Sequence, residues 1–227
     1  AAVTYNLGHA AALATGPNTF VPAFFNTPAS VAFSAPSVTV PAGGTATVDV
    51  TITAPIALAD KGMYGGYIVI TPQGGGQDVK VPYAGFKGDY QSIQVLVPTV
   101  NNYPWLARRV GANYVQAAAN PVYTMAGTDI PFITVHFDHQ VRDVKVEVLD
   151  AVSGKSWHRS FQDEYFPRNT GAATFFAIAF DGQTIGGGKV YTVPDGQYVL
   201  KLTVRKALGG PADIETWTSP VFTIDRP

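Results

Sequence analysis

Apolar residues recur at every second position along several short stretches of this chain, and that period admits one kind of element. Between Thr45 and Thr53, Val48, Val50 and Ile52 alternate with Thr47, Asp49, Thr51 and Thr53. Successive side chains of a β-strand point to opposite faces, so such a run has one buried face and one wet face. Val3-Thr4-Tyr5-Asn6-Leu7 alternates too. Farther along, Ile133, Val135 and Phe137 alternate with Thr134, His136 and Asp138, and Val144, Val146 and Val148 with Lys145 and Glu147. Turn residues bound these runs: Pro41-Ala42-Gly43-Gly44, Ser153-Gly154-Lys155 and Pro194-Asp195-Gly196. Proline presets φ in such turns and glycine accepts a positive φ. No amphipathic helical period stands out; the one candidate for a short helix is Arg109–Ala119.

Composition agrees with many short strands joined by turns. Gly 23 and Pro 17 are both high, and Val, Thr, Tyr and Phe are plentiful. A hydrophobic share of 46% is ample for packed cores, and 227 residues allow one large domain or two small ones. Only 14% of residues are charged and the net charge is -1, so no basic stripe exists to neutralise phosphates, which excludes nucleic acid as a partner. No apolar run reaches the roughly 18–20 residues of a membrane span. With Cys 0, disulfides, thiolate zinc sites and a cysteine nucleophile are excluded. No charged segment followed by an apolar core marks a signal peptide. The chain begins Ala1-Ala2-Val3, which suggests a piece excised from a longer polypeptide, with a mature secreted protein as the alternative.

The runs divide into two groups. Tyr64-Gly65-Gly66-Tyr67-Ile68-Val69-Ile70 and Val79-Lys80-Val81-Pro82-Tyr83 flank Thr71–Asp78, a glycine loop, and read as a hairpin. With the earlier runs they make about seven strands at short spacing. Residues 91–121 are less regular: Gln91–Val97 reads as a strand, and Asn101-Asn102-Tyr103-Pro104 as a turn. Residues 122–224 form a second β-rich group that closes with Gln197–Val204 and Pro220–Ile224. The expected fold is all-β, with two tandem β-sandwich domains of fibronectin-III or immunoglobulin type. The first spans 1–92, and the second, with an irregular lead-in, spans 93–227.

Two stretches carry a family resemblance. Tyr64-Gly65-Gly66-Tyr67-Ile68 fits "YxGxI", and Val81-Pro82-Tyr83-Ala84-Gly85-Phe86-Lys87-Gly88-Asp89 fits "VPYxGFxGD". In both, the chain resembles the fibronectin-III-like module that follows the catalytic domain in secreted subtilisin-like serine proteases of the cell-envelope and minor extracellular type. Phe180-Asp181-Gly182, Val193-Pro194-Asp195-Gly196-Gln197-Tyr198 and Leu202-Thr203-Val204 resemble the next β-domain of those proteases, with Phe180 where Trp is usual. The resemblance implies a non-catalytic accessory region, outside the cell, that braces or spaces a catalytic domain and shapes substrate access. Its implied partner is that catalytic domain, in the same polypeptide. The alternative is an independent extracellular module that binds a cell-surface protein or glycan.

No residues announce catalysis. The subtilisin triad needs Asp, His and Ser on three motifs, the Ser in a "GTSMA"-like setting, and none of these occurs. No G-x-S-x-G elbow occurs either. Ser153-Gly154-Lys155-Ser156 has Leu149 where a phosphate loop needs glycine, and Val190 follows Gly186-Gly187-Gly188-Lys189 where such a loop needs Ser or Thr. His136 and Asp138 share a strand face, roughly 6–7 Å apart, but His139 falls on the other face; the expectation is a solvated face rather than a metal site. Asp163, Glu164, Asp181 and Glu215 read as surface or turn carboxylates rather than a glycosidase pair. Asp129, Asp195 and Asp213 lie in loops without a calcium ligand ladder. No cofactor is therefore expected. Tyr64, Tyr67, Tyr83, Phe86 and Tyr90 cluster at the hairpin, where core filling is favoured over sugar or peptide binding. Pro82 cannot donate to a ladder, so the strand must leave the sheet there or lie at its edge. Gly85 and Gly88 permit sharp turns. The reading is that the chain bends out of the first sandwich, with Tyr83, Phe86 and Tyr90 as interface candidates.

Overall fold

The paired runs expected at Tyr64–Ile70 and Val79–Tyr83 form the longest ladder of the first sheet, and the strands around it follow from which side chains need cover. The structure is a computed structural model that describes residues 1–18, 21–171 and 173–227. It is all-β and divides into two compact units, Ala1–Tyr90 and Gln91–Pro227. Each unit is a β-sandwich. The division falls at Tyr90/Gln91, two residues before the expected 92/93 boundary.

In the first unit, β1 (Val3–Ala11), β2 (Ala14–Thr15) and β3 (Phe24–Phe25) are followed by β4 (Ser30–Phe33), β5 (Ser37–Val40) and β6 (Val50–Thr53). The hairpin of β7 (Met63–Pro72) and β8 (Val79–Phe86) completes it. One sheet runs β3-β2-β7-β1-β5, with β8 paired to β7, and β4 and β6 form a second. On β4 and β6, half-buried Val31, Phe33, Val50 and Ile52 alternate with exposed Ser30, Ala32, Thr51 and Thr53. That is the expected period of two. The strand is shorter than the pattern, however: β6 starts at Val50 because its partner β4 ends at Phe33, opposite Val50. A strand needs a partner as well as an alternation. β8 also departs from expectation. It continues past Pro82 in unbroken register, from Val79 opposite Ile70 to Phe86 opposite Met63. β8 pairs with β7 alone, so Pro82 is accommodated at a sheet edge rather than at a bend.

A 3-10 turn, Tyr90–Ser92, runs from the last residue of the first unit into the start of the second. The strands of the second unit are β9 (Trp105–Val110), β10 (Asn113–Gln116), β11 (Val122–Tyr123), β12 (Phe132–Val135), β13 (Val141–Asp150), β14 (Ser156–Phe166) and β15 (Phe176–Ala179). They continue with β16 (Gln183–Gly186), β17 (Lys189–Thr192), β18 (Gly196–Lys206), β19 (Ile214–Thr218) and β20 (Phe222–Ile224). A four-stranded sheet, β10-β9-β12-β15, accompanies an eight-stranded one, β11-β20-β18-β13-β14-β16-β17, with β19 also on β18. The core is one contiguous cluster. Val144, Val146 and Val148 from β13 meet Leu200, Leu202 and Val204 from β18, together with Ile133, Val135, Phe137, Phe180 and Phe222. The expected β13 alternation holds, with Lys145 and Glu147 on the other face paired at 3.0 Å. The Ser153-Gly154-Lys155 turn also forms: Gly154 takes φ 69°. Asp150 Oδ1 accepts bonds from the Val152 and Ser153 amides.

Three local expectations are corrected in this unit. Arg109–Ala119 is no helix; β9 and β10 pair antiparallel around Gly111, whose φ of 61° suits a tight turn. Gln91–Val97 is no strand; after the 3-10 turn it is irregular, although Ile93, Val95 and Leu96 are buried. Thr134 and His136 do not face water; both are buried, at 0% and 3% exposure. β12 is a central strand, and rings cover its second face. Tyr103 stacks on Trp105 and Phe175, and Tyr114 meets Phe132 and Phe175, with ring centroids 4.6–5.8 Å apart.

Candidate functional site

The β7–β8 hairpin gathers the aromatic candidates, and its register decides which of them share a surface. Gly66 lies opposite Tyr83, and Tyr64 opposite Gly85, so Tyr83 and Tyr64 occupy one face. Met63 lies opposite Phe86, and Tyr67 opposite Pro82, so Phe86 and Tyr67 occupy the other. Tyr83, Phe86 and Tyr90 are all half-buried, but one face does not hold all three.

The glycines of the hairpin have packing reasons. The Tyr64 ring lies across Gly85; a β-carbon there would fall 2.2 Å from Tyr64 Cζ. Above Gly66, His9 Nε2 and Tyr83 Oη join in a 2.6 Å hydrogen bond. A β-carbon on Gly66 would fall 2.6 Å from Ala10 O and 2.9 Å from Tyr83 Oη. β1, β7 and β8 are thus cross-linked by His9 and Tyr83 over a residue with no side chain. Burial pushes the Tyr83 hydroxyl pKa up, and the neighbouring Tyr64 adds to the rise. On the opposite face, Phe86 meets Tyr90 edge-on, centroids 5.2 Å apart.

The other candidates are dispersed. His136 is held by its Nδ1, 2.8 Å from Thr174 O, with Asp138 Oδ1 3.9 Å from Nε2. Among the described residues, no three His, Cys, Asp or Glu side chains gather as a metal-binding group. Asp129 pairs with Arg108 and accepts from the Thr124 amide and hydroxyl. Burial alone would raise its pKa; the Thr124 bonds and the Arg108 guanidinium outweigh burial and hold it below the usual carboxylate value. Asp195 pairs with Arg226 at 2.5 Å, and Asp213 accepts from the Gly210 amide at 2.8 Å. Asp163 accepts from the Glu164 amide, and Asp181 from that of Gln183. Each of these carboxylates shapes its own turn, strand or salt link.

Glu215 has a role that reading along the chain missed. Its two oxygens accept from the amides of Val95 and Leu96, each at 2.8 Å. Lys206 Nζ stands 3.6 Å from the carboxylate and donates to Gln91 O at 2.6 Å. These bonds strap the irregular segment 91–97 onto β18 and β19. The strap borders a cleft of about 520 Å3 lined by Gln94, Pro104, Lys206, Glu215 and Trp217 among others. Its charged groups are already spent on the strap. Nothing local in the sequence links Glu215 to a segment 120 residues away.

Residues 1–84 match the family model of an Fn3-like domain. The match covers the first unit from β1 to within two residues of the end of β8 and none of the second unit. No curated protein matches the chain.

Proposed function

We propose that this chain is a non-catalytic accessory region of a secreted subtilisin-like serine protease. It works outside the cell, bracing or spacing the catalytic domain and shaping the approach of protein substrates. The observation that carries the reading is a coincidence at one hairpin. The Fn3-like match ends within β8, and the same two strands bear the "YxGxI" and "VPYxGFxGD" patterns of the protease module. Those pattern positions have structural reasons here: Gly66 and Gly85 make room for Tyr83, His9 and Tyr64. An Fn3-like sandwich is in general a spacer or binding module, and function is carried by sites grafted onto it.

Two measurements test the reading. The reading frame upstream of Ala1 should encode Asp, His and Ser motifs, the last in a "GTSMA"-like setting. A frame without them overturns the proposal in favour of an independent module for a cell-surface protein or glycan. The 227-residue chain itself should not hydrolyse casein or take up a serine-directed fluorophosphonate; labelling of any serine would overturn its non-catalytic role.

A further inference from the structure

Between β6 and β7 the chain turns through residues 54–62, and three backbone carbonyls of this stretch converge on one point. Lys87 Nζ occupies it, 2.9 Å from Pro55 O, 2.6 Å from Ile56 O and 2.5 Å from Leu58 O. An ammonium has three N–H donors and no acceptor, so each donor has one carbonyl. The lysine backbone is fixed in turn: Lys87 N donates to Gly62 O, and Lys61 N donates to Lys87 O, both at 2.9 Å. Pro55 and Leu58 are buried while Ile56 is exposed, so water could replace the ammonium at the Ile56 carbonyl more readily than at the other two.

Converging carbonyl oxygens are the means by which proteins hold bare cations, through the partial negative charge of each dipole. Without a cation, three such dipoles would point at one another in a partly dry space. The lysine stem brings the charge from the end of β8, so the cation is covalently supplied. We infer that the carbonyls of Pro55, Ile56 and Leu58 form a site for a primary ammonium group, with the chain's own Lys87 as its resident ligand. The plug fastens the 55–62 loop to the end of the β7–β8 hairpin. This inference does not depend on the protease reading.

The test is chemical rescue in the full chain. Lys87→Ala removes the ammonium and leaves a channel where the stem ran. Amide hydrogen exchange at Leu58, Lys61, Gly62 and Lys87 should accelerate. Propylammonium chloride should restore protection; at ten times its Kd, the closed-to-open ratio should rise about elevenfold. Sodium chloride and tetramethylammonium chloride at equal ionic strength should restore much less, since sodium brings no apolar stem to fill the vacated channel and tetramethylammonium offers no N–H donors, and wild type should respond to none of the three. Wild-type protection in Lys87→Ala overturns the inference, as does equal rescue by either control salt or failure of propylammonium to rescue. Should Lys87→Ala not fold, Lys87→Met keeps the stem and carries the test. Faster exchange at the same four amides supports the site, and unchanged exchange overturns it.

Discussion

Replacing Glu215 with Gln tests how the lead-in segment is held. The glutamate carboxylate accepts two backbone amides at 2.8 Å each and is only 18% exposed as a side chain. Glutamine has one acceptor oxygen. It can keep one amide, but its NH2 group then faces the other N–H, donor against donor. Hydrogen bonds to charged groups contribute about 1.5–3 kcal/mol, and an unsatisfied buried donor costs about 1–3 kcal/mol. Val95 and Leu96 are 1% and 8% exposed, so water has poor access to the orphaned amide. The expected loss for Glu215→Gln is about 2–4 kcal/mol, some of it recovered if the segment shifts. Lys206 retains its bond to Gln91 O, so the segment should loosen around Val95 rather than detach at its start. Equilibrium unfolding in urea measures the loss, and amide exchange at Val95 and Leu96 locates it. A loss below about 0.5 kcal/mol with unchanged exchange at both amides would refute the clamp and assign the segment to apolar burial alone.

Other outcomes follow from the same geometry. Gly66→Ala places a β-carbon 2.6 Å from Ala10 O, a backbone atom that cannot swing aside, so the first unit should lose about 1–3 kcal/mol in thermal unfolding. Phe86→Ala removes a half-buried ring stacked edge-on with Tyr90; about 1–3 kcal/mol should be lost, below the 3–5 kcal/mol typical of a fully buried ring. Asp129 has a depressed folded pKa, so its stabilisation is present above the unfolded value of about 3.9 and is lost as pH falls through the lower, folded one. Asp129→Asn should flatten that acid limb of the stability profile, measured by urea unfolding from neutral pH downward. Fragments 1–90 and 91–227 should each melt cooperatively in calorimetry; a non-cooperative first fragment would show that its sandwich is incomplete alone.

The parts of the fold legible in the sequence are those set by near neighbours. Val144, Val146 and Val148 alternate because β13 has one covered face, and period two reports that directly. The β7–β8 hairpin was legible because its two runs are separated only by a glycine loop. Gly154 was legible because a turn needs positive φ at that point whatever surrounds it. Local pattern misled where a distant element supplied the cover. Thr134 and His136 alternate with core residues as if solvated, yet rings from Tyr103, Trp105, Tyr114 and Phe175 seal that face. Pro82 was consistent with a bend or an edge, and only the neighbour count of β8 selected the edge.

The sequence by itself determined that the chain is all-β, where its main hairpin lies and, with no cysteine, that it forms no disulfide and no thiolate site. Those properties depend on residue type and on spacings of a few positions, which local sterics and solvation translate into structure without reference to the rest of the chain. Only the tertiary structure decided that Tyr83 and Phe86 lie on opposite faces, that Glu215 holds Val95 and Leu96, and that Lys87 fills a nest of carbonyls. Each of these depends on ladder register or on a polar group meeting a partner about 30 to 120 residues away. Which buried amide or carbonyl lacks a sheet partner is known only once the sheets have formed, and a side chain that satisfies it has no spacing rule to betray it.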